Sequence, residues 1–101
     1  MMIRLALVAS LLASPALAAV DKAEDCGHQA QVVAAVQKAR LDRVKERDVP
    51  DYIAKTYPTP PWPENYNATI PLIAPWVYEK KMRIVRNYDL AEAWNEVCVK
   101  N

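Results

Sequence analysis

Residues 87–100, NYDLAEAWNEVCVK, decide the fold because they carry a complete helix signature that ends near a cysteine. Asp89 can cap the helix, and Glu92 stands three residues later, where a capping box places an acidic side chain. Apolar residues then recur at steps of four, three and one, as on one face of a helix. They are Leu90, Trp94, Val97 and Cys98. The stretch therefore predicts a C-terminal amphipathic helix whose inward face includes Cys98.

Cys98 has one possible partner inside the chain, Cys26, because only two cysteines are present. Pairing them would close a loop of roughly 70 residues, for which the chain-entropy model gives about 4 kcal/mol of stabilisation. The alternatives are a free reactive thiol or a metal ligand. The first residues of the chain predict export, as described below. Cysteines of exported proteins usually form disulfides, so we expect a Cys26–Cys98 disulfide.

The longest helical pattern lies upstream. Asp21 can cap it, with Glu24 three residues later, and the pattern continues to about Arg47. Its apolar stripe recurs at steps of three to five residues: Cys26, Ala30, Val33, Val36, Leu41 and Val44. A Cys26–Cys98 bridge would join the start of this helix to the end of the last one. The two helices should then lie antiparallel.

A shorter helix is expected next. Asp48 can cap it, Pro50 suits its first turn, and Pro58 should end it at Tyr57, because the residue before a proline avoids helical geometry. Residues 58–69 then form a proline-rich connecting loop, in which prolines 58, 60, 61 and 63 favour an extended path.

A third helix should begin after Thr69. Pro71 suits its first turn, whereas Pro75 either kinks the helix or marks its true start. Apolar residues surround much of this helix, so it should either sit centrally or break near Lys80 and Lys81. The predicted fold class is therefore all-α: a small bundle of three to four helices closed by one disulfide, with the proline-rich loop between them. Residues 19–101 form one domain.

The first residues predict export. Arg4 precedes an apolar run from Leu5 to Ala13, and Ala16-Leu17-Ala18 matches a signal-peptidase site. We expect residues 1–18 to be a signal peptide cut after Ala18, and a periplasmic or secreted protein. The apolar run is shorter than the ~20 residues of a membrane span, so no permanent anchor is expected.

Charge and composition exclude several function classes. Arg4 lies in the predicted signal peptide, so 12 of the 13 basic residues remain and balance the 12 acidic residues. A neutral domain has no electrostatic basis for binding nucleic acid. Both serines, Ser10 and Ser14, lie in the predicted signal peptide, and Gly27 is the only glycine. The mature protein therefore has no serine to act as a nucleophile and too few glycines for a phosphate-binding loop. We expect a protein that is not an enzyme, has no cofactor, and binds another envelope or periplasmic protein.

Two further chemistries are disfavoured. His28 could join Cys26 or Met82 at a metal, but metal sites need three or four converging ligands, and a solvated histidine is expected. Glu92 and Glu96 lie one helical turn apart, as acid–base carboxylates could. A solvated helix face explains them equally well, so neither a metal site nor a catalytic residue is assigned.

Four residues are candidates for partner binding: Tyr57, Trp62, Tyr66 and Arg40. The first three lie in or beside the proline-rich loop, where exposed aromatic side chains could anchor a partner. The alternative is that Trp62 folds back over the helices and covers a small core. Arg40 falls within the apolar stripe, so its head must reach water, or a carboxylate such as Glu79, Glu92 or Glu96, or a ligand.

The chain resembles a group of uncharacterised, small, exported bacterial proteins with two cysteines. The resemblance rests on the signal peptide, the early cysteine, PLIAPWVY from residue 71, and WNEVC at residues 94–98. The resemblance implies a helical fold and supplies no information on activity. In length, helix content and single disulfide the chain is also similar to periplasmic acid-stress chaperones of the HdeA type. We therefore expect an interaction or accessory module of the cell envelope, with an acid-stress chaperone as the alternative.

Overall fold

The computed structural model describes the backbone of residues 2–101 and the side chains of residues 21–101. Five α-helices and two short 3-10 helices follow one another, and residues 2–101 contain no strand. The elements are α1 (Met2–Leu41), a 3-10 helix (Glu46–Asp48), α2 (Val49–Thr56), a second 3-10 helix (Glu64–Thr69), α3 (Ile70–Tyr78), α4 (Met82–Asn87) and α5 (Leu90–Lys100). The predicted all-α class is confirmed, with five helices where three to four were expected.

The predicted signal peptide, residues 1–18, and its cleavage after Ala18 lie outside the fully described residues. Among the residues that are described, no helix has both the length and the apolar character that crossing a bilayer requires. Asp21 lies inside α1 and not at its start, so the predicted cap there is wrong. The alanines and leucines that precede it in the sequence are strong helix formers, which explains the difference.

The C-terminal end of α1 differs from the prediction, because the helix ends at Leu41 and not near Arg47. The amide of Val44 donates to the carbonyl of Ala39 (3.0 Å), and the amide of Arg43 donates to the carbonyl of Arg40 (3.1 Å). This pairing is a Schellman motif, which needs a left-handed residue at the reversal. Arg43 takes that position with φ 64°, so no glycine marked the helix end in the sequence.

The core lies where the middle of α1 packs against the shorter helices. From α1 it receives Val32, Val33, Val36 and Ala39, all fully buried. The facing residues come from α2 to α5 and are Ile53, Ile73, Val77, Val85 and Leu90. Burying each large aliphatic side chain contributes about 1.5–3 kcal/mol. The predicted stripe is right at Cys26, Val33 and Val36, whereas Leu41 is 41% exposed because α1 ends there.

α2 has Pro50 in its first turn and Tyr57 as its C-cap, as predicted. Asp48 stands at the N-cap position, but its side chain makes no capping hydrogen bond, so that part of the prediction is wrong. The proline-rich segment, residues 58–69, is only partly a loop, because Glu64–Thr69 form a 3-10 helix. Trp62, just before it, is 3% exposed and belongs to the core. Its indole nitrogen donates a hydrogen bond to Asn67 Oδ1 (2.7 Å), which satisfies the buried N–H.

The third predicted helix is interrupted near Lys80 and Lys81, which was one of the two alternatives for this segment. α3 ends at Tyr78 and α4 begins at Met82, so Lys80 and Lys81 lie in the break, and Pro75 lies inside α3.

α5 begins with the predicted cap. Asp89 Oδ1 accepts a hydrogen bond from the amide of Glu92 at 3.1 Å.

The predicted disulfide is present. Cys26 and Cys98 are bonded, and their Cα atoms lie 5.8 Å apart. Further along α1, Gln29 hydrogen-bonds to Trp94. Later still, Gln37 hydrogen-bonds to the amide of Leu90. Residues further along α1 contact residues earlier in α5, so the two helices run antiparallel.

Candidate functional site

An apolar groove of about 320 Å³ opens beside the disulfide, between α1, α3 and α5. We call it the α5 groove; it is lined by Gln29, Trp76, Trp94, Val97, Cys98 and Asn101. Small-molecule sites usually span about 300–1,000 Å³, so the α5 groove lies at the lower end of that range. Its size suits one or two apolar side chains better than a large ligand.

Two tryptophans form one wall of the α5 groove. Trp76 from α3 and Trp94 from α5 meet edge to face, with ring centroids 5.1 Å apart and an interplanar angle of 75°. Such a pair contributes about 0.5–1.5 kcal/mol beyond its buried area. Lys80 Nζ lies 4.2 Å from the centroid of the Trp76 ring and 3.6 Å from a carboxylate oxygen of Glu79. These contacts hold the aromatic wall in place.

Gln29 orients Trp94 from the opposite side. Its Oε1 accepts a hydrogen bond from Trp94 Nε1 (3.0 Å), and its Nε2 donates to Asp25 Oδ2 (2.9 Å). The hydroxyl of Tyr66 donates to the other oxygen of Asp25 at 2.6 Å. That hydrogen bond to the carboxylate, followed by burial, raises the pKa of Tyr66 above its ordinary value. One chain of contacts thus connects the proline-rich segment, through α1, to the α5 groove.

The apolar surface continues beyond the α5 groove. A second cavity of about 250 Å³ shares Trp76 as a wall. Its other lining residues are Lys80, Ile84, Tyr88, Leu90 and Ala93. Tyr88, which follows α4, is 63% exposed, and Val97 near the end of α5 is 61% exposed. The arrangement can bind an extended apolar surface.

The aromatic residues predicted to bind a partner are not gathered in one exposed surface. Trp62 is buried, as in the core-covering alternative, and Tyr57 lies against it with ring centroids 5.6 Å apart. Tyr66 is half-buried, and its ring lies 5.1 Å from that of His28. The proline-rich segment therefore directs its aromatic rings towards the rest of the domain.

Arg40 is separated from these residues, in the last turn of α1. None of the suggested partners, Glu79, Glu92 or Glu96, forms an ion pair with it within the described residues. Its guanidinium carbon lies 5.1 Å from the centroid of the Tyr78 ring. Its Nε is buried and has no hydrogen-bond partner in the described part of the chain. Arg40 therefore lies along the edge of the core, against an aromatic face.

The remaining chemical candidates are the half-buried His28 and two exposed glutamates. His28 Nε2 is 3.7 Å from a carboxylate oxygen of Glu24, and its Nδ1 is 3.3 Å from Gln31 Oε1. Glu92 and Glu96 are both exposed. Within residues 21–101, no three His, Cys, Asp or Glu side chains come together as metal ligands would.

Sequence patterns assigned the groove residues to the core and so missed the groove. Trp76, Trp94 and Val97 share the periodicity of buried positions, yet they line an open surface. The sequence signal that could have revealed the groove was the length of α5. Its apolar positions continue to Val97 and Val99, further than the core extends, and both side chains are exposed.

Comparisons with protein-family models, with curated proteins and with solved structures found no match to this chain.

Proposed function

We propose that this protein is an exported, non-enzymatic interaction module that binds an apolar segment of another envelope protein in the α5 groove. One observation carries the proposal. Val97, 61% exposed, stands beside a groove walled by two tryptophans and the disulfide. Partner-binding surfaces commonly combine rigid aromatic walls with exposed apolar side chains.

The fold gives this surface a rigid support. In the proposal, the disulfide-closed bundle holds α5 against α1, while the proline-rich segment at residues 58–69 acts as a structural connector. Tyr66 fastens that connector to Asp25. A pre-organised groove binds more tightly, because less side-chain ordering is required when the partner arrives.

Export supports the choice of partner. The signal-like residues 1–18 and the Cys26–Cys98 disulfide both suit an oxidising compartment outside the cytoplasm. The proposed partner is therefore a protein of the cell envelope, and its binding segment is apolar because the groove is.

Two charge-introducing substitutions test the proposal. Val97→Asp places a carboxylate at the α5 groove. Leu72→Asp places one outside the groove, on α3, where Leu72 is 75% exposed. Surface substitutions of this kind usually change stability by less than about 0.5 kcal/mol. Tagged protein is purified from the cells that produce it.

The wild type and the Leu72→Asp variant should retain the same partner, and the Val97→Asp variant should lose it, at equal melting temperatures. Retention by all three proteins, or equal loss by both variants, would contradict the proposal. So would the absence of any protein retained specifically by the wild type.

A second candidate function is an acid-activated chaperone. The observation that favours it is the double role of Asp25, which accepts hydrogen bonds from both Tyr66 and Gln29 beside the α5 groove. Acid discharges carboxylates as a class and leaves basic side chains charged, which can loosen a small bundle and expose apolar surface. At about pH 3 the protein should then bind a hydrophobic dye and suppress the aggregation of client proteins. A protein that stays compact and does not bind the dye at that pH would exclude this function.

A further inference from the structure

A cavity of about 380 Å³ lies at the C-terminal end of α1, away from the α5 groove, and gathers three cations. Arg40, Arg43 and Lys45 line it together with one carboxylate, Glu46. Tyr78 and Met82 add an apolar wall. The three cations and one anion leave an excess of positive charge around a concave, partly apolar space.

Among the side chains of residues 21–101, the cations in this cavity have no anionic partner. Within the described residues, no carboxylate oxygen lies within 4.0 Å of a charged nitrogen of Arg40, Arg43 or Lys45. Arg40 Nε is also buried without any hydrogen bond. A buried donor without an acceptor is costly, and more so when it belongs to a charged group. Arg40 Nε itself has no exposed surface, so an anion bound in the cavity would instead pair with the accessible charged groups of Arg40, Arg43 and Lys45.

The end of α1 does not need these side chains as caps. The carbonyls of residues 38–40 already accept hydrogen bonds from the amides of residues 42–44. Arg43 also takes a left-handed conformation, φ 64°, which costs any residue with a Cβ more than it costs glycine. The Schellman motif alone therefore gives no reason for arginine at this position.

We propose that this cavity binds a small organic anion, with a carboxylate or phosphate head held by Arg40, Arg43 and Lys45. Guanidinium groups offer paired N–H donors that match the oxygens of either head. The hydroxyl of Tyr78 donates to the carbonyl of Val44 at 2.6 Å, so its proton is already engaged. The ring of Tyr78 and the side chain of Met82 are left to contact the apolar body of the ligand.

Nuclear magnetic resonance titrations test this site with four probes. Hexanoate and hexyl phosphate carry a head and an apolar chain, whereas acetate and inorganic phosphate carry the head alone. The hexyl ligands should shift the Met82 methyl resonance and bind about tenfold more tightly than their heads alone, because several CH₂ groups become buried. Added salt should weaken binding. The stronger of the two hexyl ligands identifies the preferred head.

Three variants separate binding from folding. Arg40→Met should weaken binding of the hexyl ligands by about tenfold or more, because a charge-assisted hydrogen bond is lost. Lys38→Met removes a cation from an exposed position on the same helix and should leave binding unchanged. Arg43→Gly should raise the melting temperature by a few degrees while weakening binding, a combination that a purely structural arginine would not show.

Equal affinity of the wild type, Arg40→Met and Arg43→Gly proteins would overturn the proposal, and so would hexyl ligands that bind no better than acetate or phosphate. If Arg40→Met does not fold, the Arg43→Gly result decides.

Discussion

Gln37 and Leu90, 53 positions apart in the chain, are joined by a hydrogen bond from the Leu90 amide to Gln37 Oε1 (3.3 Å). Nε2 of the same glutamine donates to the carbonyls of Val85 (2.7 Å) and Tyr88 (2.8 Å). These backbone groups lie at the end of α4 and the start of α5, where helices leave donors and acceptors unpaired. One side chain of α1 therefore sets the junction from which α5 starts.

Replacing Gln37 with glutamate should destabilise this junction. The carboxylate can still accept a hydrogen bond from the Leu90 amide, but it cannot donate one to the carbonyls of Val85 and Tyr88. Its negative charge would also repel those two carbonyl oxygens. We expect the free energy of unfolding at neutral pH to fall by about 1–3 kcal/mol. Urea titration measures the change. Gln31→Glu, the same substitution at an exposed site of α1, is the control and should change stability by less than about 0.5 kcal/mol. Equal stability of the two variants would show that Gln37 does not hold the junction.

Trp62 should prove to be a core residue. Trp62→Ala leaves a cavity where a 3% exposed side chain was packed, and should cost about 3–5 kcal/mol. Trp62→Phe keeps most of the ring but loses the hydrogen bond to Asn67, for a cost nearer 1 kcal/mol. Thermal unfolding of both variants measures the two effects. An alanine variant that melts with the wild type would mean that Trp62 is not packed in solution.

Reduction of the disulfide should lower stability strongly. Opening the link between Cys26 and Cys98, which are 72 positions apart, should remove about 4 kcal/mol in the chain-entropy model. Small domains have about 5–15 kcal/mol in total, so the reduced protein should unfold at a much lower urea concentration. Mass spectrometry after alkylation confirms which form is measured. Matching unfolding curves for the oxidised and reduced forms would refute the prediction.

Alkaline pH should destabilise the fold through three tyrosines. The hydrogen bond to Asp42 raises the pKa of Tyr52, and the hydrogen bond to Asp25 raises the pKa of Tyr66. Burial raises the pKa of Tyr78, although Arg40 opposes the shift. Because each pKa is higher in the folded state, this stabilisation is fully present below about pH 10, the pKa of an unfolded tyrosine. It is lost as the pH rises through the folded-state values.

The melting temperature measured from pH 8 to above the tyrosine range of about 10 should therefore fall steeply at the upper end. The triple variant Tyr52→Phe, Tyr66→Phe, Tyr78→Phe should show a flatter profile there. Profiles of equal slope would rule out these tyrosines as the cause.

Local signals in the sequence were enough for several elements of the fold. The Asp89 cap and the periodicity of α5 predict that helix, and the paired cysteines predict the link to α1. The break near Lys80 was one of the two outcomes that the change of apolar face allowed. Each of these features depends on residues close in sequence, or on a covalent bond with a single possible pairing.

Features that depend on distant contacts were not accessible in the same way. The end of α1 was missed because Arg43 adopts a left-handed conformation that glycine usually signals. The role of Gln37 depends on partners about fifty positions away. The α5 groove was missed because Trp76 and Trp94 have the spacing of core residues, and periodicity cannot tell a covered face from one left open.

The central claim is that a partner occupies the α5 groove, and site-specific photocrosslinking in the producing cells tests it most directly. A photoreactive amino acid is placed at position 97, where Val97 lines the groove, or at position 72, an exposed aliphatic control site outside it. Position 97 should yield one discrete adduct whose crosslinked peptide is an apolar segment of an envelope protein, and position 72 should not yield it. No adduct from position 97, or the same adducts from both positions, would contradict the account.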